Sequence, residues 1–300
     1  MIENIEVYLP SIFISLGIAI MLYYFILSNP RKVEDISVGL MKETKEDVSQ
    51  SNDCILNPAV FRPFKITKIT QVSHNTKLFR FEIPSNKSLG LGIGRHISVR
   101  ANINGNNVIR AYTPTSHPNQ EGYFDLLIKA YEMGKLTPYL HALSVGDSVE
   151  VRGPVGRFKY VKNKVARMGL IAGGTGLTPC LQLVRCVLSE DYQDDKTSFV
   201  LLYQNRTEED ILLRKELDKI VRSHSDRFQV IYFLSNPLTP AFGNASDERR
   251  GYITLDAMHE YVNFMKCPYV GICGPSGFND AMRAMLKKVG HTTDDSVFVW

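Results

Sequence analysis

Three glycines and two threonines follow a short apolar run in the segment LIAGGTGLTPC, residues 170–180. Glycine lets the backbone approach an anionic group closely, and the first turn of a helix offers unpaired N–H groups with a favourable dipole. The pattern predicts a strand ending at Ala172, a glycine loop, and a helix from about Pro179. The loop consists of Gly173, Gly174, Thr175 and Gly176. It matches neither the G-x-G-x-x-G nor the Walker pattern, so a phosphate-binding loop and a tight structural turn both stay open.

A second segment, CGPSGFNDAMRAML from Cys273, has the same form of strand, loop and helix, with Gly274 and Pro275 in the loop. In open α/β sheets, ligands bind outside the carboxyl ends of the strands. Two such loops in one sheet are therefore expected to converge on one crevice, and together they favour a nucleotide ligand.

The segment RAYTPTS, residues 110–116, offers groups of a different kind. On the outer surface of a strand, Arg110 supplies a guanidinium for phosphate, Tyr112 an aromatic face for a ring system, and Thr113 a hydroxyl for a heteroatom. This combination is the chemistry needed to hold a flavin. An edge strand with a surface arginine would have the same spacing.

Two further features favour a flavin dinucleotide. The run LLIKAY adds Lys129 and Tyr131. In GKLTPYLHAL, Thr137 is placed to cap a helix whose first residue is Pro138, and the start of that helix would suit a pyrophosphate.

No set of residues indicates acid–base, nucleophilic or metal chemistry. Neither His74 nor His96 has a carboxylate or a nucleophile at the spacing of a catalytic motif, so both histidines are interpreted as structural. Residues 208–210 are all acidic and are interpreted as a solvated helix start, which the helix dipole favours. We therefore predict neither catalytic side chains nor metal ligands.

The elements that must position these residues fall into two regions. Over residues 61–160, apolar and polar residues alternate in short runs separated by turn signals, which predicts antiparallel strands in a barrel or sandwich. Over residues 161–300, the order becomes strand, glycine loop and helix, repeated along the chain. That order is typical of a parallel sheet wrapped by helices.

Residues 7–27 are an uncharged, apolar stretch long enough, as a helix, to span the hydrocarbon core of a bilayer. Glu3 and Glu6 precede it, and Arg31 and Lys32 follow it. This charge order indicates an uncleaved transmembrane anchor with the following chain in the cytosol, whereas a signal peptide has its positive charge in front. A buried core helix is the other alternative. Residues 28–60 are polar and are predicted to form a flexible linker.

The charge balance restricts the class of partner. The chain has 35 Lys and Arg against 31 Asp and Glu. Residues 1–27 hold two of the acids and no base, so the remainder carries a net charge of +6. This suits acidic partners or an anionic membrane surface, but acids and bases are too well mixed for nucleic-acid binding. Five cysteines without a C-x-x-C pair argue against a disulfide framework or an iron–sulfur cluster.

Nine segments occur in order along residues 61–300: FKITKITQVSHNTKLFRFEIP, RAYTPTS, IKAY, GKLTPYL, RGPVGRF, GLIAGGTGLTP, NRTEEDILLRKEL, CGP and VFVW. This series resembles the membrane-anchored NADH-cytochrome b5 reductases, within the ferredoxin reductase-like flavoproteins. The resemblance implies a two-domain fold. An antiparallel β-barrel domain that binds FAD, residues 61–160, is followed by an α/β parallel-sheet domain that binds the nicotinamide cofactor, residues 161–300. The N-terminal transmembrane helix precedes both.

The resemblance also implies roles for residues of the first domain. In the family pattern, the arginine of R-x-Y-T-x-[ST] binds a flavin phosphate, the tyrosine lies against the isoalloxazine ring and the threonine bonds the ring edge. Here these are Arg110, Tyr112 and Thr113, with Ala111 in place of a frequent proline. The next flavin-contacting strand and the phosphate-binding helix start match Leu127, Lys129, Lys135, Leu136 and Thr137.

In the second domain, Thr178 matches a threonine that touches the flavin. The resemblance places Gly173 to Gly176 against the NADH pyrophosphate, and Cys273 to Pro275 beside the nicotinamide.

Two departures from the family pattern bear on the ligand. Trp300 stands where the family often ends in phenylalanine, either beside the flavin or as a core indole. Ser235 stands where a family carboxylate can bind the adenosine ribose, so the choice between NADH and NADPH stays open. Arg206 or Arg214 would favour the 2′-phosphate of NADPH.

The expected activity is that of a flavoprotein oxidoreductase that takes a hydride from NADH onto FAD and passes single electrons to cytochrome b5, an acidic haem protein. The expected location is the endoplasmic reticulum or the outer mitochondrial membrane, with the catalytic part in the cytosol. Alternatives are another one-electron or quinone acceptor, a membrane-tethered nucleotide sensor without turnover, and a structural membrane adaptor. The oligomeric state is left open.

Overall fold

The computed structural model describes residues 55–131 and 133–300. The predicted anchor at residues 7–27 and most of the predicted linker lie outside these described residues. Within them, no helix has both the length and the apolar character needed to cross a membrane.

The first half of the described chain forms an antiparallel sheet, as predicted. Its strands are β1 (Arg62–Ser73), β2 (Thr76–Glu82), β3 (His96–Ile103), β4 (Asn106–Tyr112), β5 (Tyr123–Lys129) and β6 (Ser148–Val155), and helix α1 (Leu136–Ala142) lies between β5 and β6 in the chain. The strand order across the sheet is β4-β3-β6-β1-β2-β5. Alternate residues of the strands, such as Phe64 and Ile66 in β1, are buried in a core where Phe81 stacks on Phe124.

This sheet is curved, but within the described chain its two edge strands are not joined by a ladder of hydrogen bonds. Within the described chain β4 pairs with β3 and β5 pairs with β2, so β4 and β5 are the two edges. The backbone N–H of Thr115, just after β4, donates to the carbonyl of Asp125 in β5 at 2.9 Å. The predicted barrel is therefore open along the line between β4 and β5, and the candidate site lies at that opening.

The second half forms a parallel sheet with helices around it, also as predicted. Its strands are β7 (Arg167–Gly173), β8 (Ser198–Asn205), β9 (Phe228–Leu234), β10 (Glu248–Arg250), β11 (Tyr269–Cys273) and β12 (Val297–Val299). The helices are α2 (Leu177–Val187), α3 (Arg214–Ser223), α4 (Leu255–Tyr261) and α5 (Ser276–Lys288). The strand order is β10-β9-β8-β7-β11-β12. Its inner strands are buried along almost their whole length, because apolar side chains pack on both faces of the sheet.

Several local predictions are corrected. Helix α2 begins at Leu177, two residues before Pro179, because a single 3-10 turn over Gly174–Gly176 leads directly into it. Helix α1 begins at Leu136, so Thr137 lies inside its first turn and is not the N-cap. The short elements β10, α4 and β12 were not predicted from the pattern.

The acidic stretch at residues 208–210 is not a solvated helix start. It forms a separate 3-10 turn closed by a capping box between Thr207 and Asp210, and Asp210 is buried. Leu213 then takes a left-handed backbone conformation, and α3 begins only at Arg214.

The two sheets share apolar contacts. Leu127 of β5 and Phe158, which follows β6, belong to the hydrophobic cluster built around α2 and the parallel sheet. The described residues fall within one compact unit, and the candidate site lies where the two sheets meet.

Candidate active site

A cavity of about 520 Å³ lies between the opening of the antiparallel sheet and the carboxyl end of the parallel sheet. A volume of this size is in the range of ligand and cofactor sites. One wall comes from the end of β4, from β5 and from the start of α1. The opposite wall comes from the loops after β7 and β11.

The structure brings nearly all of the predicted site residues to this cavity. They are Arg110, Ala111, Tyr112, Thr113, Leu127, Lys129, Tyr131, Lys135, Leu136, Thr137, Thr175, Gly176, Thr178, Cys273, Gly274 and Pro275. Gly173 and Gly174 stand just outside the lining. Four further residues line the cavity: His96, Gly134, Pro179 and Trp300. The first three were not predicted at the site, and Trp300 was placed there only as one of two alternatives. The role of each residue toward a cofactor stays a prediction.

The lining is positively charged. Arg110 and Lys135 contribute exposed cations, whereas Lys129 is paired with Asp210, and no aspartate or glutamate is among the lining residues of the described chain. Burial, together with the nearby charge of Arg95, lowers the pKa of His96, so its ring is neutral at neutral pH. A cavity of this composition favours a ligand with phosphates.

The end of β4 places an aromatic ring and a hydroxyl at the cavity wall. Tyr112 is half-buried, and this burial raises the pKa of its phenol to about 12, so the ring stays neutral. Thr113 was expected on an outer surface, but it lies beyond the end of the strand and is buried. Arg110 is exposed, and its guanidinium donates to the carbonyl of Ile109 at 2.7 Å.

Lys129 is held by a carboxylate from the other half of the molecule. Its ammonium group is 2.7 Å from Asp210 Oδ1, and both side chains are largely buried. Burial alone would raise the pKa of Asp210, but hydrogen bonds from Lys129 and Thr207 lower it below its usual value. The pair fixes the Lys129 side chain at the cavity wall and joins β5 to the turn before α3.

Tyr131 makes a second bridge between the halves. Its hydroxyl lies 3.2 Å from Thr175 Oγ1 in the glycine loop. Its backbone N–H donates to Thr137 Oγ1 at 3.2 Å, so the Thr137 side chain binds the preceding loop. A side chain at Gly134 would crowd Thr137 Oγ1, which explains the glycine there.

The glycine loop is packed tightly at Gly176 and has open space beside Gly174. A Cβ atom at Gly176 would overlap the carbonyl of Cys273, so the two predicted loops touch at a point where only glycine fits. Gly174 has a φ of 55°, with open space where a Cβ would stand, and its carbonyl accepts a hydrogen bond from the buried Tyr203 hydroxyl at 3.1 Å. Thr178 Oγ1 donates to the carbonyl of Thr175 at 3.2 Å.

The loop after β11 is supported by an aromatic ring. Phe278 of α5 packs against Gly173 and Gly274 so closely that side chains at either glycine would overlap the ring or crowd it. Burial raises the pKa of the Cys273 thiol to about 12, so the wall at this point is uncharged.

Trp300 and Gln182 bind one glycine of the antiparallel domain from two sides. The indole Nε1 of Trp300 donates to the carbonyl of Gly94 at 3.0 Å, and the N–H of Gly94 donates to Gln182 Oε1 at 2.8 Å. Trp300 also packs against Phe158, with ring centroids 5.1 Å apart. The indole of Trp300 is therefore packed against another ring and also lines the cavity, and its position beside a flavin stays a prediction.

A second cavity, of about 710 Å³, is lined by none of the predicted site residues. It includes Ser198 and Phe228, the first residues of β8 and β9, so it lies at the opposite end of the parallel sheet. Its lining mixes arginines with aspartates. Ligands of open α/β sheets bind at the carboxyl ends of the strands, which favours the smaller cavity as the active site.

Comparison with known families and proteins agrees with this arrangement. Residues 63–160 match the oxidoreductase FAD-binding domain, and residues 170–284 match the oxidoreductase NAD-binding domain. NADH-cytochrome b5 reductase 1 of Meyerozyma guilliermondii is 44% identical over 246 residues, which cover 81% of this chain and 84% of that protein. The chain belongs to the NADH-cytochrome b5 reductase family. The resemblance inferred from the sequence motifs is thus confirmed.

Other relatives support the same assignment. NADH-cytochrome b5 reductase 1 of Dictyostelium discoideum is 40% identical over 78% of this chain and 80% of that protein. The cytochrome b5 reductase domain of Ulva prolifera nitrate reductase has a similar solved structure, with a TM-score of 0.75 and 34% identity over 82% of this chain and all of that domain.

Membership of the NADH-cytochrome b5 reductase family makes the chain an oxidoreductase with FAD and NAD as its cofactors, as predicted. The cavity fits such a pair, because its walls offer cations for phosphates, neutral aromatic rings for a planar group and glycines where a ligand can approach the backbone. Within the described chain, no group of three or more His, Cys, Asp or Glu side chains could hold a metal ion.

Proposed function

We propose that the protein is a membrane-anchored enzyme that transfers electrons from NADH, through FAD, to cytochrome b5. One observation carries the proposal. Residues predicted from two separate domains, among them Tyr112 and Thr178, line a single cavity whose described residues include cations and no carboxylate.

In this proposal the antiparallel domain holds FAD. Arg110 and Lys135, both exposed at the cavity wall, bind the cofactor phosphates. Tyr112 offers the face of a neutral ring to the planar flavin, and the buried Thr113 presents a hydroxyl to the ring edge. Lys129 is already paired with Asp210, so its charge is largely compensated and its role is to shape the wall.

The parallel domain receives NADH opposite the flavin. Bound FAD supplies a ring that accepts a hydride equivalent from NADH and returns electrons one at a time. The open face of the loop at Gly174 lets the pyrophosphate approach the backbone, and the uncharged wall at Cys273 suits the nicotinamide ring. Trp300 and Cys273 form part of the cavity wall. The protein contributes positioning, so no general acid or base is required.

Cytochrome b5 is the acceptor we propose, because relatives of this chain are named NADH-cytochrome b5 reductase 1 and because the charge of this chain suits an acidic haem protein. Opposite charges on two proteins steer their encounter, and salt weakens that steering.

We further propose that residues 7–27 anchor the protein as a single transmembrane helix in the endoplasmic reticulum or the outer mitochondrial membrane, with the catalytic part in the cytosol. The uncharged length of this stretch and the Arg31 and Lys32 that follow it support the proposal. Residues 28–60 would then form the linker that sets how far the catalytic part can move from the membrane.

Stopped-flow spectroscopy of the full-length holoprotein tests the acceptor. NADH should bleach the flavin absorbance, and oxidised cytochrome b5 should then be reduced rapidly. The rate should fall as ionic strength rises from about 0.01 M to about 0.15 M, which shortens the Debye length from about 30 Å to about 8 Å. If cytochrome b5 stays oxidised while a quinone or another haem protein turns over, the acceptor is wrong and the flavoenzyme assignment stands.

A further inference from the structure

One outward-facing part of the antiparallel sheet is built around the ring of Phe61. Val99 of β3 and Val151 of β6 are buried in the core, so the residues that follow them, Arg100 and Arg152, point to the other side of the sheet. Their guanidinium carbons lie 4.2 Å and 4.9 Å from the centroid of the Phe61 ring. The surface that we call the Phe61 face consists of Val60, Phe61, Arg62, Arg100, Ile109, Glu150 and Arg152.

The Phe61 face carries a surplus of positive charge. Its carboxylate, Glu150, is engaged by Arg100, which donates to both carboxylate oxygens at 2.8 Å. Arg62 donates to the carbonyl of Ile55 at 2.7 Å, which orients its guanidinium without neutralising it. The guanidinium of Arg152 packs on the ring, and its Nε has no hydrogen-bond partner in the described chain. The charges of these last two arginines are therefore not compensated by an ion pair with any described residue.

The neighbouring carboxylates do not reverse this balance. Asp147, just before β6, accepts a hydrogen bond from the N–H of Ser144 at 2.8 Å. Glu82, at the end of β2, shares a shallow groove with Lys65 of β1, so a cation and an anion lie together there. The net positive charge stays on the side of the sheet that Phe61 occupies.

Apolar side chains lie beside these charges. Val60 is 52% exposed, and Ile109 of β4, which pairs with Arg100, is 39% exposed. At a bilayer interface, aliphatic and aromatic groups enter the headgroup layer, whereas the arginine guanidinium binds lipid phosphate. The composition of the Phe61 face suits such an interface.

The chain enters the described structure at this face. Leu56 is buried in the antiparallel core, and the carbonyl of Asn57 accepts from the N–H of Gly153 in β6 at 3.2 Å. Residues 28–54 separate this entry from the predicted anchor at residues 7–27. A flexible chain of that length has a root-mean-square reach of roughly 30 Å, so a membrane anchor would hold the Phe61 face near the lipid surface at a high effective concentration.

We infer that the Phe61 face docks on the anionic headgroups of the membrane that holds the anchor. The inference rests on the anchor in the proposed function and is independent of whether cytochrome b5 is the acceptor. The lipid surface is favoured over an acidic electron acceptor as the occupant, because such an acceptor must reach the cavity, and neither Arg100 nor Arg152 lines it.

Docking at the Phe61 face would also orient the cavity. Arg152 is in register with Ser98, and Ser98 is in register with Ala111, which lines the cavity. One row of residues across β6, β3 and β4 therefore leads from the docked arginine to the cavity wall. The opening would lie beside the lipid surface, where an acceptor held in the same membrane diffuses.

Fluorescence quenching tests the inference on the full-length holoprotein, with one copy in each nanodisc. The reporter is a bimane label at Val60→Cys in a Cys54→Ser background, and the reference is the same label at Met265→Cys, an exposed position of the parallel domain. The discs contain phosphatidylcholine with or without phosphatidylserine, and a lipid whose headgroup carries a nitroxide quencher. Quenching at position 60 should be at least about twofold stronger in the anionic discs, and salt should remove this difference. Position 265 should not respond.

Variants separate charge from packing. Arg62→Gln and Arg152→Gln should each lower the docking equilibrium, obtained from the quenched fraction, by about fivefold, the effect of one cationic side chain at an anionic surface. Arg152→Lys keeps the charge and should keep most of the docking. Arg222→Gln, which removes an exposed arginine at the end of α3, should have no effect. NADH–ferricyanide activity shows that each variant is folded.

Four results would overturn the inference. Equal quenching at position 60 in neutral and anionic discs, or normal docking of both glutamine variants, would do so and leave the proposed function intact. Glutamine variants that keep their quenching but reduce cytochrome b5 more slowly would assign the face to an acidic protein. Shielding of the label in detergent that increases with protein concentration would assign it to a second copy of the chain. Protein that does not enter the discs would remove the anchor and this inference together.

Discussion

The side-chain oxygen Oε1 of Gln182, in helix α2, accepts a hydrogen bond from the backbone N–H of Gly94 at 2.8 Å. The two residues belong to different sheets, and Gln182 is 2% exposed. Replacing Gln182 with Leu should destabilise the protein by about 1–3 kcal/mol, because the buried N–H of Gly94 loses its acceptor. A lower denaturation midpoint in urea would show it.

A matched control for this first prediction is Gln193→Leu, which changes an exposed glutamine in the same half of the molecule and should leave the free energy of unfolding within about 0.5 kcal/mol of wild type. Equal midpoints for the two variants would contradict the importance of the Gln182 contact.

The Lys129–Asp210 pair predicts a particular dependence of stability on pH. Because the pKa of Asp210 is lower in the folded protein than in the unfolded chain, the pair stabilises the fold above about pH 4. That contribution is lost as the pH falls from there through the folded-state pKa. Asp210→Asn should cost about 1.5–3 kcal/mol at neutral pH and flatten the stability profile below about pH 4.

Urea midpoints at a series of pH values from neutral to acidic measure this effect. Asp194→Asn is the control, because its exposed pair with Lys162 should contribute little. Parallel profiles for wild type and Asp210→Asn, offset by a constant, would show that the carboxylate does not titrate as expected.

Gly176 should tolerate no side chain. In Gly176→Ala the new methyl group would overlap the carbonyl of Cys273, so the two loops must move apart. We expect a loss of stability of about 1–3 kcal/mol and a clear rise in KM for NADH. Gly277→Ala, at the start of α5, adds the same methyl group in open space and serves as the control. Normal NADH kinetics in Gly176→Ala would show that this contact does not shape the nucleotide site.

Trp300 provides a built-in optical probe. It is the one tryptophan of the chain, and it lines the cavity. If FAD occupies that cavity, its ring should quench the indole fluorescence by energy transfer at short range. Release of FAD should then raise the emission strongly, and Trp300→Phe should abolish this signal. Emission that is the same with and without FAD would place the flavin elsewhere.

The predicted anchor can be tested in the full-length chain by placing a charge at its centre. An arginine in the middle of a transmembrane helix costs about 2.5–3.5 kcal/mol for insertion. Ile18→Arg should therefore shift part of the protein from the membrane pellet to the alkaline supernatant, with NADH–ferricyanide activity unchanged. Ile18→Leu is the control. Complete retention of Ile18→Arg in the pellet would indicate another mode of attachment.

Site residues and strands could be predicted from the sequence where the signal lies within a few consecutive residues. RAYTPTS and GGTGLTP were predicted at the site because a strand end or a glycine loop is encoded within a few residues. The alternation in β1 and the continuous apolar run of β8 predicted the two kinds of sheet for the same reason.

What could not be predicted depends on partners that are distant in sequence. Asp210 looked like part of a solvated acidic turn, yet its partner, Lys129, is 81 residues away. Gln182 and Trp300 meet Gly94 across 88 and 206 residues. His96 lacked any local signal. Strand β10, with the sequence ERR, has no apolar alternation, and it exists because it pairs with the exposed edge of β9.

The opening between β4 and β5 has a consequence for newly made protein. Both strands are sheet edges, and exposed edges are templates for pairing with other chains. A flavin seated in the cavity would shield the end of each edge from such encounters. Prompt cofactor loading would then guard against aggregation as well as enable catalysis, and the yield of soluble enzyme in a producing cell should follow its supply of riboflavin.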